Sequence, residues 1–452
     1  MKIEEALRII QKKTTEKYAS LMEKLDESPE EIKNQIISYI EKMIKDEHIQ
    51  VAEYQNEEDE LAKRIYKEMT GFSILDDYLV DKNIEEINIL SWKDIKISYD
   101  DGRVERAKHH FFSAEHAKDV MIRLLSRNGM TLNKTNPIQV GYLNTQSNIR
   151  ITAIGEGIID DNLGICASIR IINPKGMTKE DFIANGECND EMLNFLSTSY
   201  KYGISECYTG ETGSGKTTLM SYIMTQILDN KRLITMEENT REYSLYKYDE
   251  NGYMINNVMH LVTRQSDKEE ENITLSDLLK TSLTLDPNYI CVNEMKGDES
   301  YQAVAAANTG HAVITTTHAS SNEDTYYRIL TLCKLGLKND ISTDILLSMI
   351  CKAFPIVVYI DKYFDNVRRI SKITECMGLD EHNQIKLNVL YQYKVDYNEE
   401  KDGKKFVYGT FEKVNTPSER IKEIFYKNGA DSKTIETYFS KKGKKYANNL
   451  YA

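Results

Sequence analysis

The stretch Gly210-Glu-Thr-Gly-Ser-Gly-Lys-Thr-Thr218 determines how the rest of this chain is interpreted. It matches the pattern G-x-x-x-x-G-K-[ST] in full, and its glycines let backbone N–H groups converge on phosphate oxygens without a clash with a Cβ atom. Lys216 would neutralise the β- and γ-phosphates, and the Thr217 hydroxyl would ligate Mg²⁺. The alternative, a chance glycine-rich turn, is disfavoured because the motif is long and its flanking segments fit. The predicted ATP-binding residues are Gly210, Glu211, Thr212, Gly213, Ser214, Gly215, Lys216, Thr217 and Thr218.

The segments on either side of this loop fit a strand, a phosphate loop and a helix in succession. Residues 202–209 precede it as a possible strand, in which Glu206 is an unexpected charge, and residues 218–228 follow as a helix with an apolar face. From about residue 191, strands and helices alternate, which is typical of a doubly wound, mainly parallel sheet. The predicted fold class is therefore α/β.

Two further apolar strands end in acids. Leu233-Ile-Thr-Met-Glu-Glu238 leads to Glu238, and Tyr289-Ile-Cys-Val-Asn-Glu294 leads to Glu294. The carboxyl ends of parallel strands open into one crevice, so both acids should lie near the loop. Hydrolysis needs a carboxylate that positions water and helps to hold the metal, whereas an acid without such a role would simply be solvated. Thr217, Glu238 and Glu294 are the predicted metal-binding residues.

Two histidines, His311 and His318, flank another predicted strand. Each one alone would suit a hydrogen-bonded structural residue. Zinc is disfavoured because no other His or Cys lies at ligand spacing. Together with the neighbouring motifs, the pair suits a γ-phosphate sensor or an element that couples segments.

The composition limits the remaining classes of function. Lys+Arg 58 against Asp+Glu 71 gives a net charge of −13, which argues against a broad nucleic-acid-binding face. No apolar run approaches the length of a membrane span, and the start lacks the cationic-then-apolar order of a signal peptide. The seven cysteines are scattered without a Cys-x-x-Cys pair, which favours reduced thiols in a cytoplasmic protein.

The chain divides into four predicted regions. Residues 1–68 are charged and helix-patterned, and we expect a helical N-terminal extension. Residues 69–175 mix strand-like runs, such as 148–152 and 167–171, with a helical stretch at 114–128, and they predict a smaller α+β domain. Residues 176–190 are expected to be a linker, and residues 191–452 the nucleotide-binding domain with a C-terminal subregion.

These segments together resemble the type II/IV secretion ATPases, most closely the CpaF-like branch that powers Tad-type pilus assembly. Residues 210–218 correspond to the family's Walker A box, residues 238–242 to its Asp box, residues 283–297 to its Walker B region and residues 309–319 to its His box. The resemblance also places Arg150 and Arg170 on two strands of the N-terminal domain, and Arg264 before the Walker B region.

This resemblance implies a RecA-like ATPase domain in a homohexameric ring, with Mg²⁺-ATP bound between the N-terminal and ATPase domains. It also implies a polytopic membrane platform protein as partner and a cytoplasmic location at the inner face of the membrane. By the same analogy Glu294 would orient the attacking water and Glu238 would act through the water shell of the metal. The phosphate charge would be stabilised by Arg150, Arg170 and Arg264, which with Glu294, Glu238, His311 and His318 make up the predicted catalytic set.

The chain departs from the family pattern near these motifs. Asn293 replaces a glycine before Glu294, Lys296 replaces an arginine after it, and Asn239 replaces an aspartate. Slow or partner-dependent hydrolysis is therefore expected. Two other functions stay open: a nucleic-acid translocase, which the net charge disfavours, and an assembly component that binds ATP without turning it over.

Overall fold

The computed structural model describes residues 5–7, 9–10, 29–51, 54, 57–81, 83–99, 102–143, 148–172, 176–238, 242–264, 268–337, 341–439 and 445–447. The chain splits into two compact units, Met1–Asn173 and Pro174–Ala452. Asn239, one of the departures noted above, lies outside the described residues. No helix within the described ranges is both long enough and apolar enough to cross a membrane.

The first unit contains an antiparallel sheet with one face covered by a helix. Its strands lie in the order β3-β2-β1-β6-β5-β4. Alternate residues of the central strands, such as Ile87, Ile151 and Ile169, pack against the helix at 114–127 in one apolar core. The elements are α1 (Pro29–Asp46), α2 (Glu58–Thr70), α3 (Leu75–Leu79), β1 (Ile84–Ser91), β2 (Asp94–Tyr99), β3 (Val104–Arg106), α4 (Ala114–Arg127), β4 (Ile138–Leu143), β5 (Asn148–Ile154) and β6 (Cys166–Ile172).

The boundary expected at residue 68 falls inside α2, so the helical extension and the α+β domain belong to one unit. Helices α1 and α2 share a small core of their own. At the end of α2, the buried Glu68 carboxylate contacts Arg64 Nη2 at 2.6 Å and His116 Nε2, from α4, at 3.0 Å. These buried polar contacts join the extension to the sheet domain.

The second unit is built on a ten-stranded sheet, counted over the described residues, in the order β16-β15-β14-β13-β12-β7-β11-β10-β8-β9. The strands from β12 to β9 in this order are parallel, and those from β12 to β16 are antiparallel. Its strands are β7 (Glu206–Thr209), β8 (Leu233–Glu237), β9 (Val258–Val262), β10 (Tyr289–Val292), β11 (Ala312–Thr317), β12 (Ile356–Lys362), β13 (Arg368–Leu379), β14 (Ile385–Lys401), β15 (Lys404–Lys413) and β16 (Lys445–Ala447).

Helices cover both faces of this sheet. Successive strand residues point to opposite faces; thus Tyr208 and Ile314 belong to one core, whereas Cys207 and Val313 belong to the other. The helices are α5 (Lys179–Ala184), α6 (Asp190–Lys201), α7 (Lys216–Thr225), α8 (Leu275–Ser282), α9 (Glu299–Asn308), α10 (Asn322–Gly336), α11 (Thr343–Ala353), α12 (Glu419–Lys427) and α13 (Ser432–Phe439). The predicted doubly wound α/β arrangement is confirmed for the parallel half of the sheet.

Two parts of the second unit differ from the sequence-based expectation. Residues 176–190, expected as a linker, contain α5, and Phe182 and Cys188 are buried in the main core of this unit. The strand predicted at 202–209 starts only at Glu206, because α6 runs to Lys201 and Gly203 then adopts a positive φ of 86°. A helix that ends with a left-handed glycine forces the chain to turn before the strand can begin.

Candidate functional site

The glycine-rich loop follows β7 directly and leads into α7. Gly210, Gly213 and Gly215 all have positive φ values, of 145°, 76° and 90°. A Cβ atom at Gly210 would lie 2.0 Å from the carbonyl oxygen of Ile360 on the neighbouring strand β12. The loop therefore needs glycine for its backbone conformation and for its close approach to the sheet.

Lys216, the first residue of α7, folds back over the loop. Its Nζ donates to the carbonyl oxygens of Gly210 at 2.9 Å and Glu211 at 2.7 Å. Burial lowers the pKa of Lys216, and the nearby Glu294 partly opposes that shift. The ammonium is thus held inside the loop by neutral carbonyls, so a phosphate would offer it a stronger partner.

The loop also contains a buried polar atom that lacks a partner among the described residues, the hydroxyl oxygen of Ser214. Its side chain is 1% exposed. A buried hydroxyl without a hydrogen bond is costly, and a bound anion would remove that cost. With the hydroxyl of Thr217 in the first turn of α7, these oxygen and nitrogen donors fit a triphosphate with Mg²⁺.

His318, just beyond β11, connects the loop to the acid that follows β10. Its Nε2 lies 3.2 Å from Glu294 Oε1. Its Nδ1 lies 3.1 Å from the carbonyl oxygen of Gly210 and 3.4 Å from Lys216 Nζ. One ring nitrogen thus faces the carboxylate, and the other faces both the Gly210 carbonyl oxygen and the Lys216 ammonium. The structure therefore brings Lys216, His318 and Glu294, all predicted from the sequence, into one hydrogen-bonded cluster.

Glu238 follows β8 at the same edge of the sheet but forms an ion pair with Lys296. Burial is the largest influence on Lys296 and opposes its charge, but the hydrogen bond to Glu238 and the charges of Glu238, Glu294 and Glu299 together raise the pKa of Lys296. Strand β8 lies three strands from β7, a lateral separation of about 14 Å. The structure does not join Glu238 to the loop.

Glu237, immediately before Glu238, is an acid that the sequence analysis passed over. Its side chain is fully buried at the end of β8, where one carboxylate oxygen accepts from the backbone N–H groups of Glu242 and Tyr243. Its position in an apolar strand could have indicated a buried role, because an acid in such a strand must find hydrogen-bond partners inside the protein. It ties the end of β8 to the backbone at residues 242–243.

His311 requires a correction, because it lies at the opposite edge of the sheet from the loop. It precedes Ala312, which pairs with Tyr289 at the start of β10, whereas the loop follows the far end of the parallel β7. Six strand residues span about 20 Å. Its Nδ1 lies 3.2 Å from the carbonyl oxygen of Ala306, near the end of α9. Within this chain, His311 is therefore better described as a hydrogen-bonded structural residue than as a member of the predicted catalytic site.

Arg264 follows β9, the strand at one end of the sheet, four strands from β7, or about 19 Å away. Its guanidinium donates to the carbonyl oxygen of Glu271 at 3.0 Å, and its backbone pairs with Ile273. Arg264 is therefore not part of the cluster around Lys216.

Arg150 and Arg170 lie in the first unit, directly opposite each other on the neighbouring strands β5 and β6. Both side chains are exposed, on the face of the sheet that α4 does not cover. Within the described part of this unit neither guanidinium has an ion pair. The structure thus brings these two predicted residues together.

Arg368, at the start of β13, contacts the loop although no sequence motif indicated it. Its Nε donates to the carbonyl oxygen of Gly213 at 2.9 Å. It reaches the loop only because β13 pairs with β12, the neighbour of β7. That proximity is set by strand order, which the sequence around Arg368 does not reveal.

Comparison with models of known protein families assigns the chain to a family. A family model described as "Type II/IV secretion system protein" matches residues 116–374, more than half of the chain. The chain belongs to this family. The matched region contains the loop, Glu294, both histidines and the three arginines, so the type II/IV secretion family assignment rests on the segments that carry the site.

Among curated relatives, an uncharacterised protein of Methanocaldococcus jannaschii is 27% identical over 265 residues, covering 59% of this chain and 46% of that protein. The type IV secretion system protein VirB11 of Brucella suis is 35% identical over 154 residues, covering 33% of this chain and 40% of VirB11. The chain therefore spans less than half the length of these two relatives.

A solved structure supports the fold. The X-ray structure of the Legionella pneumophila ATPase DotB matches with a TM-score of 0.50 and 19% identity, over 66% of this chain and 78% of DotB. At this level of identity the match shows the fold, and it confirms the predicted α/β class of this type II/IV secretion protein.

Proposed function

We propose that this chain is a motor ATPase that couples hydrolysis of Mg²⁺-ATP to pilus assembly or protein secretion through a membrane platform protein. The observation that carries this proposal is the cluster in which His318 contacts both Lys216 and Glu294. A phosphate-binding lysine and an acid that can orient water are parts that triphosphate hydrolysis uses, and here one imidazole contacts both.

The loop and Lys216 would bind the phosphates. Lys216 would exchange the carbonyl oxygens of Gly210 and Glu211 for phosphate oxygens, a stronger charge-assisted contact. The buried Ser214 hydroxyl would gain a partner at the same time. Mg²⁺, when bound, supplies positive charge to the phosphate oxygens, and Thr217 and Glu294 are the residues that would hold it or its water ligands.

Glu294 would orient the attacking water and accept its proton. Its carboxylate reaches His318 from the end of β10, and His318 in turn contacts the loop at Gly210. Binding of a phosphate to Lys216 would therefore alter the contacts of His318 and, through that one side chain, the position of Glu294. This arrangement supports His318 as a sensor that couples occupancy of the loop to the position of the acid.

Arg150 and Arg170 would supply positive charge to the phosphates from the first unit. Two guanidinium groups directly opposite each other on a sheet repel, and an anion removes that repulsion. We further propose that the chain works as a homohexamer of the CpaF-like branch at the cytoplasmic face of the membrane.

The test is release of phosphate from Mg²⁺-ATP by the purified chain, measured alone and with a cytoplasmic fragment of a membrane platform protein from the same organism. We expect slow release that the fragment stimulates, together with a larger assembly in mass photometry when an ATP analogue is added. Stimulation by DNA instead would favour a translocase. Binding without any release of phosphate would favour a nucleotide-gated assembly component.

A further inference from the structure

Asn293, the residue before Glu294, forms hydrogen bonds with two neighbouring strands and with Tyr243. Its backbone N–H donates to the carbonyl oxygen of Met236 at 3.0 Å, and its own carbonyl oxygen accepts from Thr316 Oγ1 at 2.8 Å. Its side-chain Oδ1 accepts from the phenol of Tyr243. The first two contacts need only the backbone, so the third is the contact that depends on the asparagine itself.

Tyr243 is a rigid partner for this contact. Its side chain is 4% exposed, and its backbone N–H donates to the buried Glu237 carboxylate at 3.1 Å. Burial raises the pKa of the phenol well above its ordinary value, so the hydroxyl stays a donor at any working pH. The hydrogen bond therefore joins Tyr243, which is tied to the end of β8, to the residue that precedes Glu294.

The side chain of Glu294 is itself about one-third exposed. Its position consequently depends on the backbone that carries it. Beyond Glu294, the N–H of Met295 donates to the carbonyl oxygen of Thr316 at 2.8 Å. A glycine in place of Asn293 would keep these strand contacts but would lose the link to Tyr243 and would have more backbone freedom.

We propose that the Tyr243–Asn293 hydrogen bond positions Glu294 for hydrolysis, so that Asn293 and Tyr243 are positioning residues. This inference rests on the proposed ATPase function. A second contact also connects the segment after β8 with the segment around Glu294: the Glu238–Lys296 ion pair, whose side chains are 39% and 48% exposed. Because exposed ion pairs constrain geometry weakly, we attribute the positioning of Glu294 to the buried hydrogen bond.

The test compares Tyr243→Phe, Asn293→Ala and the double variant with the wild-type chain. We expect each single variant to lower kcat about tenfold, with KM and the affinity for an ATP analogue changed less than about twofold. The double variant should be no slower than the slower single variant, because both changes remove the same bond. A kcat loss in the double variant equal to the product of the two single losses would overturn the proposal.

Tyr326→Phe is the matched control. It removes an equally buried phenol, whose hydroxyl donates to the Phe354 carbonyl oxygen at 2.9 Å, on the other face of the sheet. We expect this variant to lose stability without a tenfold loss in kcat. An equal loss of kcat in the control would show that Tyr243 acts through stability alone.

Amide hydrogen exchange supplies a readout besides activity. Tyr243→Phe should speed exchange both at residues 242–243 and at residues 293–296, whereas Tyr326→Phe should affect neither segment. Unchanged exchange at 293–296 would overturn the link. If the wild-type chain releases no phosphate, the proposed function and this inference both fail; if it does and Tyr243→Phe keeps wild-type turnover, only this inference fails.

Discussion

The two groups of predicted site residues differ in how their charges are compensated. At the loop, Lys216 and Glu294 carry opposite charges and meet through His318. On the sheet of the first unit, Arg150 and Arg170 carry the same charge and face each other. Glu86, the acid opposite Arg170 on β1, accepts instead from Ser168 Oγ at 2.6 Å.

The charges at the loop are therefore compensated within the chain, whereas neither arginine has an ion pair within the described part of the first unit. Opposite charges at the loop stabilise each other before any ligand arrives. Like charges directly opposite on a sheet cost roughly 0.2–1 kcal/mol, a cost that the proposed binding of an anion by Arg150 and Arg170 would remove. The predictions below test each half of this comparison.

The largest effect is expected for Lys216→Ala. Removing the ammonium deletes the charge that would meet the phosphates, and affinity for ATP should fall by about a hundredfold or more in calorimetric titration. The exposed Lys280→Ala, on α8, serves as control and should bind ATP as the wild type does. Equal affinity in the Lys216 variant would contradict the phosphate-loop assignment.

Glu294→Gln should separate binding from chemistry. The amide keeps the size of the side chain but cannot accept a proton, so turnover should fall by at least about a hundredfold while ATP still binds. Phosphate release and analogue binding are measured on the same preparation, with the exposed Glu323→Gln as control. Wild-type turnover in the Glu294 variant would remove this acid from its proposed role.

Arg150→Ala and Arg170→Ala test the second region. We expect turnover to fall by at least about tenfold in each, while the free energy of unfolding stays the same or rises by up to about 1 kcal/mol because a repulsion is removed. Arg106→Ala, which breaks an exposed 3.2 Å ion pair with Asp94, is the matched control. A clear loss of stability would show that the arginines have a stabilising partner inside the chain.

The smallest effect on turnover is expected for Glu206→Gln, in the strand that carries the loop. Tyr208 donates to this fully buried carboxyl, and burial raises the pKa of Glu206 well above its ordinary value. The folded state therefore holds a proton that the unfolded state releases above about pH 4.5. Between that pH and the raised pKa of the folded state, the free energy of unfolding falls as pH rises, by up to about 1.4 kcal/mol per pH unit.

In Glu206→Gln this dependence should disappear. Urea denaturation should show the variant gaining stability over the wild type at pH 8 more than at pH 5, with turnover changed less than about twofold. A gain that is equal at the two pH values would mean that Glu206 is ionised in the folded protein.

Much of the parallel half of the sheet could be predicted from the sequence. The apolar strands at 233–237, 289–292 and 312–317 are short, buried on both faces and followed by turn residues, and each was located by that pattern. Strand β13 was missed because Arg368, Arg369 and Lys372 interrupt its apolar run. The buried Arg369 pairs with Asp365 at 2.6 Å and lies over the rings of Tyr363 and Tyr393, contacts that local composition does not indicate.

By itself, the sequence determined the phosphate loop, the acid at Glu294 and the histidine at 318, because each depends on a short motif at the end of a strand. Only the tertiary structure decided that Arg368 reaches Gly213, that His311 lies at the far edge and that Asn293 bonds to Tyr243. These outcomes depend on strand order and on the direction of each strand. They are set by packing between segments distant in the chain, which spacing along the sequence does not record.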